Sequence, residues 1–118
     1  MSEPHKTTQI VLIYTTVSSR EQAETIARAV VTEHLAACVN IMPGVTSFCS
    51  WNNAVAKEEE YLIILKTGIA QKTALLSWLD THHPYTVPVL LSGSVEVNEK
   101  FAHFVQSALH TRKDLNAR

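Results

Sequence analysis

The most constraining stretch of this 118-residue chain is its middle, residues 37–67, which reads as two unusually long strands around one tight turn. Ala37 to Ser50 is strand-like throughout, except at Pro43-Gly44, where Pro offers no N–H to a ladder and Gly permits a bulge. Asn52-Asn53 follows Trp51, and Asn tolerates the left-handed backbone that a tight hairpin turn requires. The returning strand spans about Val55 to Thr67 and ends on Tyr61-Leu62-Ile63-Ile64-Leu65-Lys66. Fourteen residues at about 3.3 Å each extend roughly 46 Å, whereas a domain of this size is roughly 35 Å across. The hairpin therefore overreaches its own domain. Its unpaired N–H and C=O groups need cover, most simply from a neighbouring copy, so inter-subunit strand pairing in a homo-oligomer is expected.

The flanking segments supply the rest of the architecture. Gln9-Ile10-Val11-Leu12-Ile13-Tyr14-Thr15-Thr16 reads as a buried strand. Ser18 to Glu21 and Ser19 to Gln22 both have capping-box spacing, which predicts a helix from about Arg20 with an apolar stripe through Ala23, Ile26, Ala27, Val30 and Leu35. After Gly68, the spacing of Leu75, Trp78, Leu79 and His82 predicts a second helix that ends before Pro84. Val87 is held extended by Pro88 and leads into Val89 to Val95 as a final core strand. Phe101, Phe104, Val105, Ala108 and Leu109 form a third helical stripe capped by Asn98, before a polar tail from Arg112 to Arg118 expected to fray. The order predicts one α+β domain over 1–118, with its core at about 9–110. It is a ferredoxin-like β-α-β-β-α-β sandwich, with two helices on one face of an antiparallel sheet and an extra C-terminal helix.

Composition narrows function by exclusion. Ten Lys plus Arg against eleven Asp plus Glu give a formal net charge of -1, which argues against nucleic acid as a partner. No apolar run approaches the ~20 residues that span a bilayer, so no membrane association is expected. Two cysteines, Cys38 and Cys49, form no disulfide framework or Cys-x-x-Cys motif and suit a reducing cytoplasm. The three glycines are scattered, so no Gly-rich phosphate loop is present. No nucleophile-and-base signature stands out among the six histidines, and no enzymatic activity is expected.

Four groups of residues could carry chemistry. His82-His83 offers two imidazoles, which suit copper, zinc or nickel, although His82 at a helix C-terminus can equally serve the helix dipole. Cys38 and Cys49 are either thiolate ligands or small buried apolar residues. Within Glu58-Glu59-Glu60, a run that otherwise reads as a solvated face, Glu60 shares a strand face with Lys66 and could meet a polar ligand together with Tyr85. Trp51 beside the turn is either an interface anchor or core.

Leu35-Ala36-Ala37-Cys38-Val39-Asn40, Ser47 to Trp51, Glu60 to Thr67 and His83-Pro84-Tyr85-Thr86-Val87-Pro88, in this order, resemble the CutA1 family of divalent-cation tolerance proteins over about residues 9–110. The resemblance implies a ferredoxin-like subunit in a tight homotrimer, similar in architecture to the PII signalling proteins. It also implies binding of Cu(II), with the family's histidine pair falling on His82 and His83. Other divalent cations remain candidates. The alternative is a signalling or scaffold trimer that holds a small anionic ligand in an inter-subunit cleft near Glu60, Lys66 and Tyr85. Cys38 matches the family's Ala-Ala-Cys segment, while Tyr14 stands where some bacterial members carry Cys, and a phenol is a poor Cu(I) ligand. Cys49, Asn53 and Val89 also depart from the family's frequent Tyr, Gly and Glu, and Val89 removes a carboxylate from the cleft region.

Overall fold

A computed structural model of the chain describes residues 7–110; the tail from Arg112 to Arg118 lies outside the described residues. The elements are β1 (Thr7–Val17), α1 (Arg20–Thr32), β2 (Cys38–Trp51) and β3 (Ala54–Thr67), then a short 3-10 turn (Ile69–Gln71), α2 (Lys72–His82), β4 (Leu91–Asn98) and α3 (Glu99–Leu109). The four strands form one antiparallel sheet in the order β2-β3-β1-β4.

Alternation along β1 sorts the core into two layers. Val11, Ile13 and Val17 face α1 and α2, where they join Ala23, Ile26, Val30, Ile63, Leu65, Leu75 and Leu79. Ile10 and Leu12 face the other way and meet Val105 and Leu109 of α3. Two helices thus share one sheet face, as expected, and the third covers part of the opposite face.

Local chemistry fixes the ends of α1. Ser19 Oγ accepts from the Gln22 N–H at 3.1 Å, and Gln22 Oε1 accepts from the Ser18 N–H and hydroxyl at 3.1 and 2.8 Å. The capping pair forms at the predicted spacing, with its return bonds one residue earlier than in a regular capping box. At the other end, His34 adopts a left-handed conformation (φ 60°), and its Nδ1 lies 3.1 Å from the Ala108 carbonyl of α3.

The hairpin turns at Asn52 and Asn53, with φ of 51° and 63°, the two consecutive left-handed residues of a type I′ turn. The register shifts between Met42 and Val45, around Gly44 at φ 76°, which is the bulge that Pro43-Gly44 predicted. The ladder of β1 with β3 ends at Val17 opposite Tyr61, so residues 54–60 of β3 pair with β2 alone. The overhang carries exposed Phe48, Trp51 and Val55, the last 78% accessible. Trp51 is therefore not a core residue of the isolated chain.

Four expectations are corrected. The last strand is an edge strand, not a core strand: β4 pairs only with β1, Val87 and Leu91 are exposed, and residues 87–90 precede it as irregular chain. Two prolines, Pro84 and Pro88, keep that approach segment out of the ladder. In α3 the buried stripe is Ala102, Val105 and Leu109, while Phe104 is 48% exposed, because at about 3.6 residues per turn it points away from that stripe. Asn98 occupies the N-cap position of α3 without a side-chain capping bond, and His82 lies outside the buried stripe of α2.

Leu79, fully buried between α2 and the sheet, is the most direct probe of this packing. Leu79→Ala is expected to lower the unfolding free energy by about 2–5 kcal/mol in urea denaturation.

Candidate functional site

The polar residues of interest gather where β1 ends. α2 ends at His82; the N–H of the capping His83 still bonds to the Leu79 carbonyl at 2.8 Å, and Pro84 prevents another turn. The His83 ring is buried under the last residues of β1. Its Nδ1 accepts from the Tyr85 N–H at 3.0 Å, so the ring proton resides on Nε2, which lies 2.9 Å from Thr15 Oγ1 and 3.0 Å from the Thr16 carbonyl. Both nitrogens are committed within the chain.

Tyr85 carries the network outward. Its ring meets His83 edge-on at 4.9 Å, and its hydroxyl donates to Glu60 Oε2 at 2.6 Å. Burial acts to raise the Glu60 pKa, but hydrogen bonds from Tyr85, Ser47 and Thr16 and the nearby His83 outweigh it and hold the carboxyl below its ordinary range. His83 is pushed down by burial, against the opposing effects of the Thr16 carbonyl and Glu60. The Tyr85 phenol is pushed up by burial and by the bond to Glu60. The cluster at neutral pH is therefore a carboxylate, a neutral imidazole and a protonated phenol.

Glu60 and Tyr85 thus meet, as the sequence predicts, but Lys66 does not join them. It lies six residues further along β3, about 20 Å at ~3.3 Å per residue. There it stands opposite Leu12 and Cys38, with its ammonium 5.5 Å from the centre of the Phe101 ring. Alternation correctly placed the two side chains on one face; separation along the strand divides them.

The two histidines also separate. His82 is exposed, stacked on Trp78 at 4.2 Å with planes 16° apart, and its Nδ1 lies 2.9 Å from the Trp78 carbonyl. That carbonyl can only accept, so Nδ1 carries the proton and Nε2 keeps its lone pair. Of the four imidazole nitrogens in the pair, His82 Nε2 is the one left open to an ion. Among the described residues no group of three or more His, Cys, Asp or Glu side chains gathers as a metal centre. Cys38 is half-buried opposite Lys66, Cys49 is exposed on the overhang and Tyr14 is half-buried opposite Ile64 and Leu91. The sequence reading missed Thr15 and Thr16 as partners of His83. Their signal was a pair of hydroxyl residues directly after the apolar run Ile10 to Tyr14.

The lowered pKa values of Glu60 and His83 make stability pH-dependent in one direction. Each group binds protons more readily unfolded than folded, so its contribution is present above its unfolded pKa and lost as pH falls through the folded one. Unfolding free energy is expected to decline first below about pH 6.5, from His83, and again below about pH 4.3, from Glu60. Denaturant titrations across pH 8 to 3 check this. His83→Gln should flatten the upper limb, and Tyr85→Phe should weaken the lower one at a cost of about 1.5–3 kcal/mol near neutral pH.

Comparison with known proteins agrees with this geometry. The family model described as CutA1 divalent ion tolerance protein matches residues 11–108. A divalent-cation tolerance protein CutA from Thermus thermophilus is 45% identical over 84 residues, covering 71% of this chain and 80% of that protein. Among solved structures, CutA from Synechococcus elongatus superposes with a TM-score of 0.84 at 33% identity, covering 89% of this chain and 96% of that one. CutA1 from Ehrlichia chaffeensis gives 0.84 at 29% identity, covering 86% and 96%. With a family match spanning nearly all the described residues and the same fold in its solved relatives, the chain belongs to the CutA1 family of divalent-ion tolerance proteins.

Proposed function

We propose that the protein is a homotrimer that contributes to divalent-cation tolerance by binding Cu(II), and other divalent ions more weakly, through His82. The open Nε2 of His82 carries this reading: it is a borderline donor held in one orientation by the Trp78 stack and the Trp78 carbonyl. A single imidazole, with no group of three ligating side chains gathered among the described residues, gives weak, rapidly exchanging binding, which suits a protein that meets surplus ions rather than one that stores a resident metal.

The trimer is the assembly that the family resemblance implies, in a ferredoxin-like, PII-like arrangement. The strand order β2-β3-β1-β4 and the unpaired edge of residues 54–60 support it, because the exposed Phe48, Trp51 and Val55 need a surface to cover them. Location in a reducing cytoplasm accords with the two free cysteines, and no catalytic role is assigned to any residue. The alternative of a small anion held at Glu60, Lys66 and Tyr85 has charge against it, since Glu60 is ionised there and Lys66 is remote.

Light scattering on the eluting protein at micromolar concentration is expected to give three times the chain mass, with Trp51→Asp shifting it toward the monomer. A monomeric mass for the unsubstituted chain overturns the assembly.

A further inference from the structure

The long hairpin meets the domain at one residue level, that of Tyr61. On one side of β3 the β1 ladder ends there, with Val17 opposite Tyr61; on the other, the register shift between Met42 and Val45 leaves Pro43 and Gly44 together opposite the same residue. Beyond this level residues 45–60 continue as a two-stranded ribbon. A ribbon that loses its third strand and carries a bulge at the same point bends most easily there. Gly44 does not oppose such a bend, having a φ of 76° and open space where a side chain would stand.

One side chain bridges the junction. Glu60 is the first residue beyond it and the one buried residue among 45–60. Among the described residues, the side-chain hydrogen bonds that cross from the domain to the ribbon all end on its carboxylate: Tyr85 donates at 2.6 Å from the segment after α2, and Thr16 donates from the end of β1. Neighbouring contacts stop on either side of the boundary. The Arg20 guanidinium lies 5.4 Å from the ring of Tyr61, within the domain, and Thr46 bonds to Glu59 within the ribbon. We propose that residues 45–60 form a hinged arm, and that the Glu60–Tyr85 bond is the clamp that sets its angle and presents Phe48, Trp51 and Val55 to a second copy in the docking orientation. This deepens the homo-oligomer reading above and rests on it.

Pre-organisation gives the clamp its effect. A free arm samples many angles and gives up that freedom only when its edge pairs, whereas a clamped arm has already given it up on folding. Affinity between copies then falls in proportion to the fraction of arms that hold the docking angle. The clamp is suited to this role because its acceptor is ionised, which makes the bond stronger than one between neutral groups. Its donor is fixed in turn, since the Tyr85 N–H donates to His83 Nδ1 at 3.0 Å and so ties the phenol to the domain.

Two readouts test the clamp. Residual dipolar couplings of backbone amides are measured in a Trp51→Asp background, in which no partner holds the arm, and residues 45–60 are expected to share one alignment with β1 and α1. Adding Tyr85→Phe or Glu60→Ala should shrink the arm's couplings to a separate, smaller alignment while those of β1 and α1 stay together. Glu60→Gln, whose amide oxygen still accepts from the phenol, should keep the single alignment, a rescue that loss of packing would not give. In the otherwise unsubstituted chain, Tyr85→Phe should raise the concentration of half-dissociation roughly tenfold, read by energy transfer between terminally labelled chains on dilution. An arm that moves apart from the domain with Tyr85 in place, or a Tyr85→Phe chain that assembles as tightly as the wild type, overturns the proposal. A monomeric wild type whose arm stays aligned overturns the homo-oligomer reading instead, which separates the two failures.

Discussion

The structure hangs on a mismatch of strand lengths. β3 is fourteen residues long, and β1 pairs with it only as far as Val17 opposite Tyr61. The paired half builds the domain: its inward residues Ile63 and Leu65 are fully buried beneath α1 and α2. The unpaired half builds a surface, because residues 54–60 keep one row of backbone groups free while Phe48, Trp51 and Val55 stay exposed. The same strand therefore provides a core and an edge that calls for a partner.

The boundary between these halves is where the polar network forms. Glu60 is the first residue of β3 beyond the β1 ladder, and it is buried there and bonded by Tyr85, whose backbone N–H donates to Nδ1 of the His83 ring. A carboxylate at that point is tolerated because hydrogen bonds satisfy it, and the phenol is kept neutral by the same bond. The network thus closes the sheet at the place where one strand stops. It also explains why adjacent histidines have different roles: the helix ends between them, so one ring stays outside on Trp78 and the other turns inward.

Much of this was legible in the sequence, for physical reasons. Asn52-Asn53 and Pro43-Gly44 announce a turn and a bulge because few residues accept those backbone angles, and the unbroken apolar run Ile10 to Tyr14 announces a buried strand. The edge position of β4 was not legible, since the run Val89-Leu90-Leu91 reads like the start of a central strand and only the strand order leaves it at the side. At the site, facing was legible but distance was not: Glu60 and Lys66 share a face, yet each has its own neighbours. The division between His82 and His83 depends on hydrogen bonds to Thr15, Thr16 and Trp78, contacts that no spacing rule encodes.

The central claim is that the overhanging edge of β3 is covered by another copy of the chain, and hydrogen exchange at residues 54–60 tests it most directly. At micromolar concentration, amides on the side of this segment facing away from β2 are expected to exchange slowly, and to lose that protection on dilution into the monomer. Exchange at the rate of unstructured chain across those amides, independent of concentration, would contradict the account.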